Sequence, residues 1–345
     1  MPSVTITILR PPPSIWPVSI SSQTSVTQTF VRAGSLSSDV QSYLLRSIIS
    51  FDQFSQNQLI WLTNDHVKYI VDFLTPSSIP ITISLSLAYN SLFSSFLSGY
   101  SDACLLLEGP PITQRLLSIG WSTKEDSFPG IFSELFSYFR ARSFSMSVPV
   151  SFSFLLVNRS SEYDLVSCNT LSRYSKTLSN LPRYSFASQD IWRPRLVKNL
   201  SKLSSCSPCM VMFLVYLHDK TFLFLSSMTG IKTQRSSPES KWLSQSMINI
   251  TRMILSIKNN QSRDESGASR LNLVTRVFGS LQLDSKSLLI HVPLIDYFAF
   301  ENENRSLLSS VSRLRSHQSD LIDDVIIPSN RVDVGRLFKE SVGSD

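Results

Sequence analysis

The sequence predicts an α+β fold, with mixed or antiparallel sheet segments and packing helices, not a doubly wound sheet. Three observations carry this. Several segments alternate apolar residues with serine at period two, the pattern of a strand. Others space apolar residues three and four apart, the pattern of a helix. The two kinds do not alternate with the regular rhythm that builds a doubly wound sheet. The chain has 345 residues, 42% of them hydrophobic, enough for one large domain or two ordinary ones.

Near the start, "SVTITI" places Val4, Ile6 and Ile8 on one strand face. Val40, Leu44 and Ile48 form a helical face after the cap-like Ser37 and Ser38. "ITISLSL" reads as another strand, with Ile81, Ile83, Leu85 and Leu87 on its apolar face. "FPGIFSELFSYFRARS" reads as a helix from near Pro129 to Arg140 and Arg142, cations that suit a helix C-terminus. From Ser143 to Phe154, Phe144, Met146, Val148, Val150, Phe152 and Phe154 alternate with serines. Pro149 falls on the polar face of that segment and predicts an edge strand. "VNRSSEYDLVSC" predicts a turn and a returning strand. "MVMFLVYL" and "TFLFLSS", joined by His218, Asp219 and Lys220, predict a hairpin.

The clearest helix starts with Ser237 as cap and Pro238 at the first position. Its stripe of Leu243, Met247, Ile250, Ile254 and Ile257 packs on a sheet or, alternatively, on another subunit. Asn259 to Ser269 is a polar loop, and a last helix carries Leu307, Leu308, Val311 and Leu314. The expected organisation is an N-terminal α+β region over 1–145, a C-terminal α+β region over 146–328, and an arm over 329–345.

Composition excludes several classes. No apolar run approaches the roughly 20 residues of a membrane span. The N-terminus lacks the basic start and apolar block of a secretory signal, so the expected location is cytoplasmic, with organelle import as an alternative. Four cysteines do not make a disulfide scaffold. There are 67 serines against 10 glycines, which leaves little for a glycine-rich phosphate cradle. No G-x-S-x-G, dinucleotide fingerprint or H-E-x-x-H occurs. Cys206 and Cys209 form a C-x-x-C that precedes a strand, where a thioredoxin-like pair would open a helix. As half of a zinc site it would need partners such as His218 or Cys168. His66 and His218 neighbour aspartates, His291 sits in an apolar strand, and Asp320, Asp323 and Asp324 cluster near the end. None of these makes a catalytic constellation, so no catalytic residue, metal or cofactor is expected.

The charge distribution is uneven. Residues 173–202 hold seven cations and one anion, while the remaining chain balances at 25 of each. The whole formal excess of +6 therefore sits in thirty residues, where it makes a local field that attracts polyanions. Aromatics are interleaved with these cations, the chemistry that tracks a phosphate backbone and stacks unpaired bases. The expected nucleic-acid ligands are Arg173, Tyr174, Lys176, Arg183, Tyr184, Trp192, Arg193, Arg195, Lys198 and Lys202. Arginine stems also cover apolar surface, and loop aromatics also anchor loops, so a structural role stands beside this reading. The functional expectation is a non-enzymatic, self-assembling protein that binds single-stranded RNA, of a viral structural, nucleocapsid-like or replication-factory type, in the host cytoplasm. The alternative is a matrix or scaffold protein that uses the same patch on an anionic membrane or an acidic protein.

Overall fold

This computed structural model describes residues 3–10, 46–52, 58–62, 69–75, 81–109, 111–122, 127–146, 149–171, 177–186, 208–228, 237–258, 272–284, 286–297 and 301–315. The chain divides into two units, 1–315 and 316–345, and all described residues lie in the first.

Strand β1 (Ser3–Leu9) opens the fold. Strands β2 (Ile49–Asp52), β3 (Gln58–Leu62) and β4 (Tyr69–Val71) form a small antiparallel sheet. Next come β5 (Phe73–Thr75), helix α1 (Ile81–Leu97), β6 (Ala103–Leu107) and α2 (Pro111–Ile119). A short pair, β7 (Trp121–Ser122) and β8 (Ser127–Phe128), precedes α3 (Ile131–Ser145). Then follow β9 (Ser151–Val157), β10 (Glu162–Asp164), β11 (Asn169–Thr170) and β12 (Tyr184–Ser185). The hairpin β13 (Cys209–Leu217) and β14 (Lys220–Met228) leads to α4 (Pro238–Lys258), α5 (Leu273–Ser280), β15 (Leu288–Ile295) and α6 (Glu301–Arg315).

The main sheet has ten strands in the order β11-β10-β9-β13-β14-β6-β15-β1-β5, with β12 paired to β9. Its β9–β13–β14 side is antiparallel, whereas β14, β6, β15, β1 and β5 run parallel. The class is α+β with a mixed sheet, as the sequence predicts. Helices cover both faces. In β6, Leu105 and Leu107 pack with Tyr89, Phe93 and Phe96 of α1, Leu117 of α2, and Phe132 and Phe139 of α3. Cys104 and Leu106, on the opposite face of the strand, pack with Leu243, Ile250 and Ile254 of α4 and Val274 and Phe278 of α5. A third cluster sets Ile6, Ile8, Ile290 and Val292 against Leu307, Leu308 and Val311 of α6. The α1–α3 face is aromatic: Phe132 lies 4.9 Å from the rings of both Phe154 and Phe224. Each such buried ring removes enough apolar surface to contribute about 2–3 kcal/mol.

The hairpin, the returning strand β10, and helices α3, α4 and α6 form where the sequence predicts them. His218 takes φ 55° in the hairpin turn. Ser237 Oγ accepts from the Ser240 N–H at 3.1 Å, the predicted cap. The α4 stripe packs on the sheet.

Several local expectations fail. Ile81–Leu87 is not a strand but the start of α1. The alternation there is short, and downstream Tyr89, Leu92, Phe93 and Phe96 are buried at helical spacing. The Ser143–Phe154 strand begins only at Ser151, because α3 runs to Ser145 and leaves Phe144 exposed. That strand, β9, is not an edge, since β13 and β10 flank it. Its serines are not all wet either: buried Ser153 donates to the Pro182 carbonyl and lies 3.0 Å from the Tyr216 hydroxyl. Ile48 precedes strand β2 instead of closing a helical face; Val40 and Leu44, with the 259–269 loop and the 329–345 arm, lie outside the described residues.

Two glycines fix the turn between α2 and α3. Gly120 has φ +83°, and a Cβ there would meet the Phe128 carbonyl oxygen at 2.0 Å. Gly130, φ +80°, presses on Ile119 in the same way. A side chain at either position meets both a left-handed backbone and a backbone clash. Gly120→Ala is therefore expected to lower stability by more than ~3 kcal/mol in urea unfolding; a loss under ~1 kcal/mol would contradict this packing.

Candidate functional site

Open sheets bind ligands at the C-terminal ends of their parallel strands, and phosphates at the helix N-terminus that follows such a strand. Here β6 is the central parallel strand that runs directly into a helix. Only Glu108, Gly109 and Pro110 separate it from α2. The Glu108 N–H donates to the His291 carbonyl at 2.9 Å, which holds the strand end against β15. Gly109 is there because of space: a Cβ would meet Thr113 Oγ1 at 3.0 Å and the Pro293 ring at 3.4 Å.

The first turns of α2 are tied down by Gln114, which is 2% exposed. Its Nε2 donates to the Gly109 carbonyl at 2.6 Å. Its Oε1 accepts from the Ser227 N–H of β14 at 2.8 Å. The pairing of β14 with β6 ends at Leu225 and Leu106, so beyond that point the β14 backbone needs another partner, and Gln114 supplies it. One helical turn on, Ser118 and Ser226 hydroxyls bond at 2.9 Å. Burial pushes the Glu108 carboxyl at this junction up to about 7 and the Arg115 guanidinium below its ordinary value.

Further polar groups are buried elsewhere in the core. His291 Nδ1 pairs with the Tyr89 hydroxyl, and Nε2 lies 2.8 Å from Thr7 Oγ1. Burial lowers the imidazole to about 3, so it is neutral and serves the core, as the sequence suggests. Asp102 accepts from the Thr221 and Gln282 N–H groups, 2.8 and 2.6 Å. Neither carboxyl oxygen of Glu134 on α3 has a hydrogen-bond partner. Burial raises that carboxyl to about 7.

Of the ten residues expected to hold a polyanion, Arg183 and Tyr184 are among the described residues; Arg173, Tyr174, Lys176, Trp192, Arg193, Arg195, Lys198 and Lys202 lie outside them. Arg183 is exposed, with its guanidinium 4.0 Å over the Tyr216 ring. Tyr184 is half-buried, and its hydroxyl donates to Asp164. Both are engaged by the protein's own groups. Cys206, His66 and Asp320, Asp323 and Asp324 also lie outside the described residues. Cys209 is buried, and no group of three or more possible metal ligands occurs among the described residues. Among them, too, no helix is long and apolar enough to cross a membrane.

Glu134 provides a test with a definite sign. The unfolded carboxyl titrates near 4.5 and the folded one near 7. The folded state therefore binds the proton more tightly, and its stability falls as pH rises through that window. Glu134→Gln is expected to stabilise the protein at pH 8 by ~1 kcal/mol, allowing for solvent screening. The gain should vanish below pH 4.5, as read by urea unfolding at both pH values; an equal effect at both would contradict it.

No family model matches the chain, and no curated protein matches its sequence. Solved structures do match. The Drosophila kinesin family member NOD in complex with AMPPNP is 17% identical, TM-score 0.56, over 78% of this chain and 92% of that one. NOD docked with bovine tubulin into a map of nucleotide-free NOD on the microtubule is 14% identical, TM-score 0.54, over 78% and 92%. A mutant structure bearing on activation of the kinesin motor ATPase is 14% identical, TM-score 0.57, over 91% and 99%. At such identities the likeness establishes the fold. It overturns the expectation of a self-assembling, RNA-binding protein of viral structural type, and with it the matrix or scaffold alternative. The expectation of a chain outside enzymes is likewise corrected, because the fold is one that motor ATPases use. The expectation of single-stranded RNA as partner is corrected with it: the neighbour NOD is described with the microtubule and with AMPPNP.

A nucleotide implied by these neighbours has to fit the β6–α2 junction. A phosphate cradle of the G-x-x-x-x-G-K-S/T kind needs a long glycine-rich loop of backbone donors and a lysine. This junction has three residues; its last, Pro110, and the first residue of α2, Pro111, carry no N–H. Gln114, a neutral amide already bonded on both sides, lies in the helix turn where a charged lysine would be wanted. The residues present do not fit the group.

Proposed function

We propose that this chain is a kinesin-like protein that binds microtubules in the cytoplasm. The observation that carries the proposal is the extent of the fold match, 91% of this chain against 99% of a kinesin motor domain. NOD shares that fold and is described in complex with the microtubule. A surface feature supports the reading. The outward face of α4 presents Ile248, 47% exposed, and Leu255, 36% exposed, with exposed Arg252 between them. An apolar strip bearing an arginine is the composition of a protein contact surface.

Cosedimentation with polymerised tubulin at ~0.15 M salt tests this. Saturable binding with a Kd of ~1–10 µM is expected, the range of a moderate protein contact. Replacing Ile248 and Leu255 together by serine is expected to weaken it about tenfold, because buried apolar anchors dominate such contacts. No pelleting above background would overturn the function; full affinity in the double variant would overturn the role of α4.

A further inference from the structure

We propose that the phosphate junction of this kinesin-type fold is closed by the chain's own groups: the Gln114 carboxamide takes the space between the first turns of α2 and the end of β14. The protein then holds its fold without a bound nucleoside di- or triphosphate. This stands apart from the microtubule reading and is tested without it.

Four observations converge. The connection from β6 to α2 is three residues long, Glu108 to Pro110. A nest for phosphate requires successive backbone N–H groups, and positions 110 and 111 are proline. The Gly109 carbonyl is turned onto Gln114 Nε2 at 2.6 Å, so an acceptor and not a donor lines the turn. Thr113 Oγ1 and the Pro293 ring stand within 3.0 and 3.4 Å of where a Gly109 Cβ would be, so the turn is filled. Glu108 adds a carboxyl whose ionised form repels phosphate. Arg115 follows Gln114 on the helix, about 100° round the axis, and does not replace a lysine at that position.

The Gln114 amide also has a structural role. It fastens α2 to β14 through two short hydrogen bonds in a buried setting. Ser118 and Ser226 extend the seam at 2.9 Å. Breaking the amide strands the Ser227 N–H and the Gly109 carbonyl without partners, which is costly in a buried site.

The test uses the full chain. Magnesium with ATP, and magnesium with a fluorescent ADP analogue, are titrated and followed by anisotropy and thermal unfolding. No saturable binding is expected up to ~1 mM, and the midpoint should move by less than ~1 °C, since a ligand that binds only the folded state raises it. A saturable site with a Kd below ~100 µM would overturn the proposal. Gln114→Ala is expected to lower the midpoint by ~4–8 °C, and no loss would equally overturn it. Gln114→Glu keeps the shape but loses the donor to Gly109, and should fall between the two. Nucleotide binding would sink this inference and leave microtubule binding standing; loss of microtubule binding with no nucleotide bound would do the reverse.

Discussion

Burial of the central strands on both faces is the constraint from which the other features follow. β13, β14, β6 and β15 are almost wholly out of water. Aromatic helices lie over one face and the α4–α5 pair over the other. With no water on either side, every backbone group and every polar side chain on these strands needs an internal partner. This explains why His291 is held between Tyr89 and Thr7, why Ser153 bonds a carbonyl, and why Asp102 receives two backbone N–H groups. It also explains why the strand ends, where pairing stops, are stitched by side chains.

The β6–α2 junction is the clearest of these stitches. β14 outlasts its pairing with β6 by three residues, and Gln114 meets the Ser227 N–H left over. NOD, whose fold is similar, is described with AMPPNP; in this chain the end of β6 is packed by Gln114, Thr113 and Pro293. The proposed contact surface lies on another element, α4, where outward Ile248 and Leu255 flank Arg252. The two features stand on different elements, α2 and α4.

Much of the fold was legible in the sequence because its signals are local. The hairpin rests on two long apolar runs and a polar turn, and α4 on a cap, a proline and a regular stripe. Failures came where local pattern and tertiary setting disagree. Serine at alternate positions imitated a wet strand face at Ile81–Leu87, but the helix is set by Tyr89, Leu92, Phe93 and Phe96 burying against the sheet. Ser153 looked solvent-facing because sequence does not reveal a partner such as Pro182. The absence of a glycine-rich phosphate loop was visible, but not its meaning. "ACLLL" has no alternation to mark it as the central strand, and Gln114 finds Ser227 113 positions along the chain. The concentrated charge of residues 173–202 pointed to a polyanion, whereas the likeness to kinesin motor structures lies in the whole fold, which no single segment encodes.

Hydrogen exchange at the Ser227 amide reads the closed junction most directly. With Gln114 in place, that amide should exchange at the slow rate of the β14 core, and magnesium ATP should leave the rate unchanged. Fast exchange at Ser227, or a rate altered by nucleotide, would contradict a junction sealed by the chain itself.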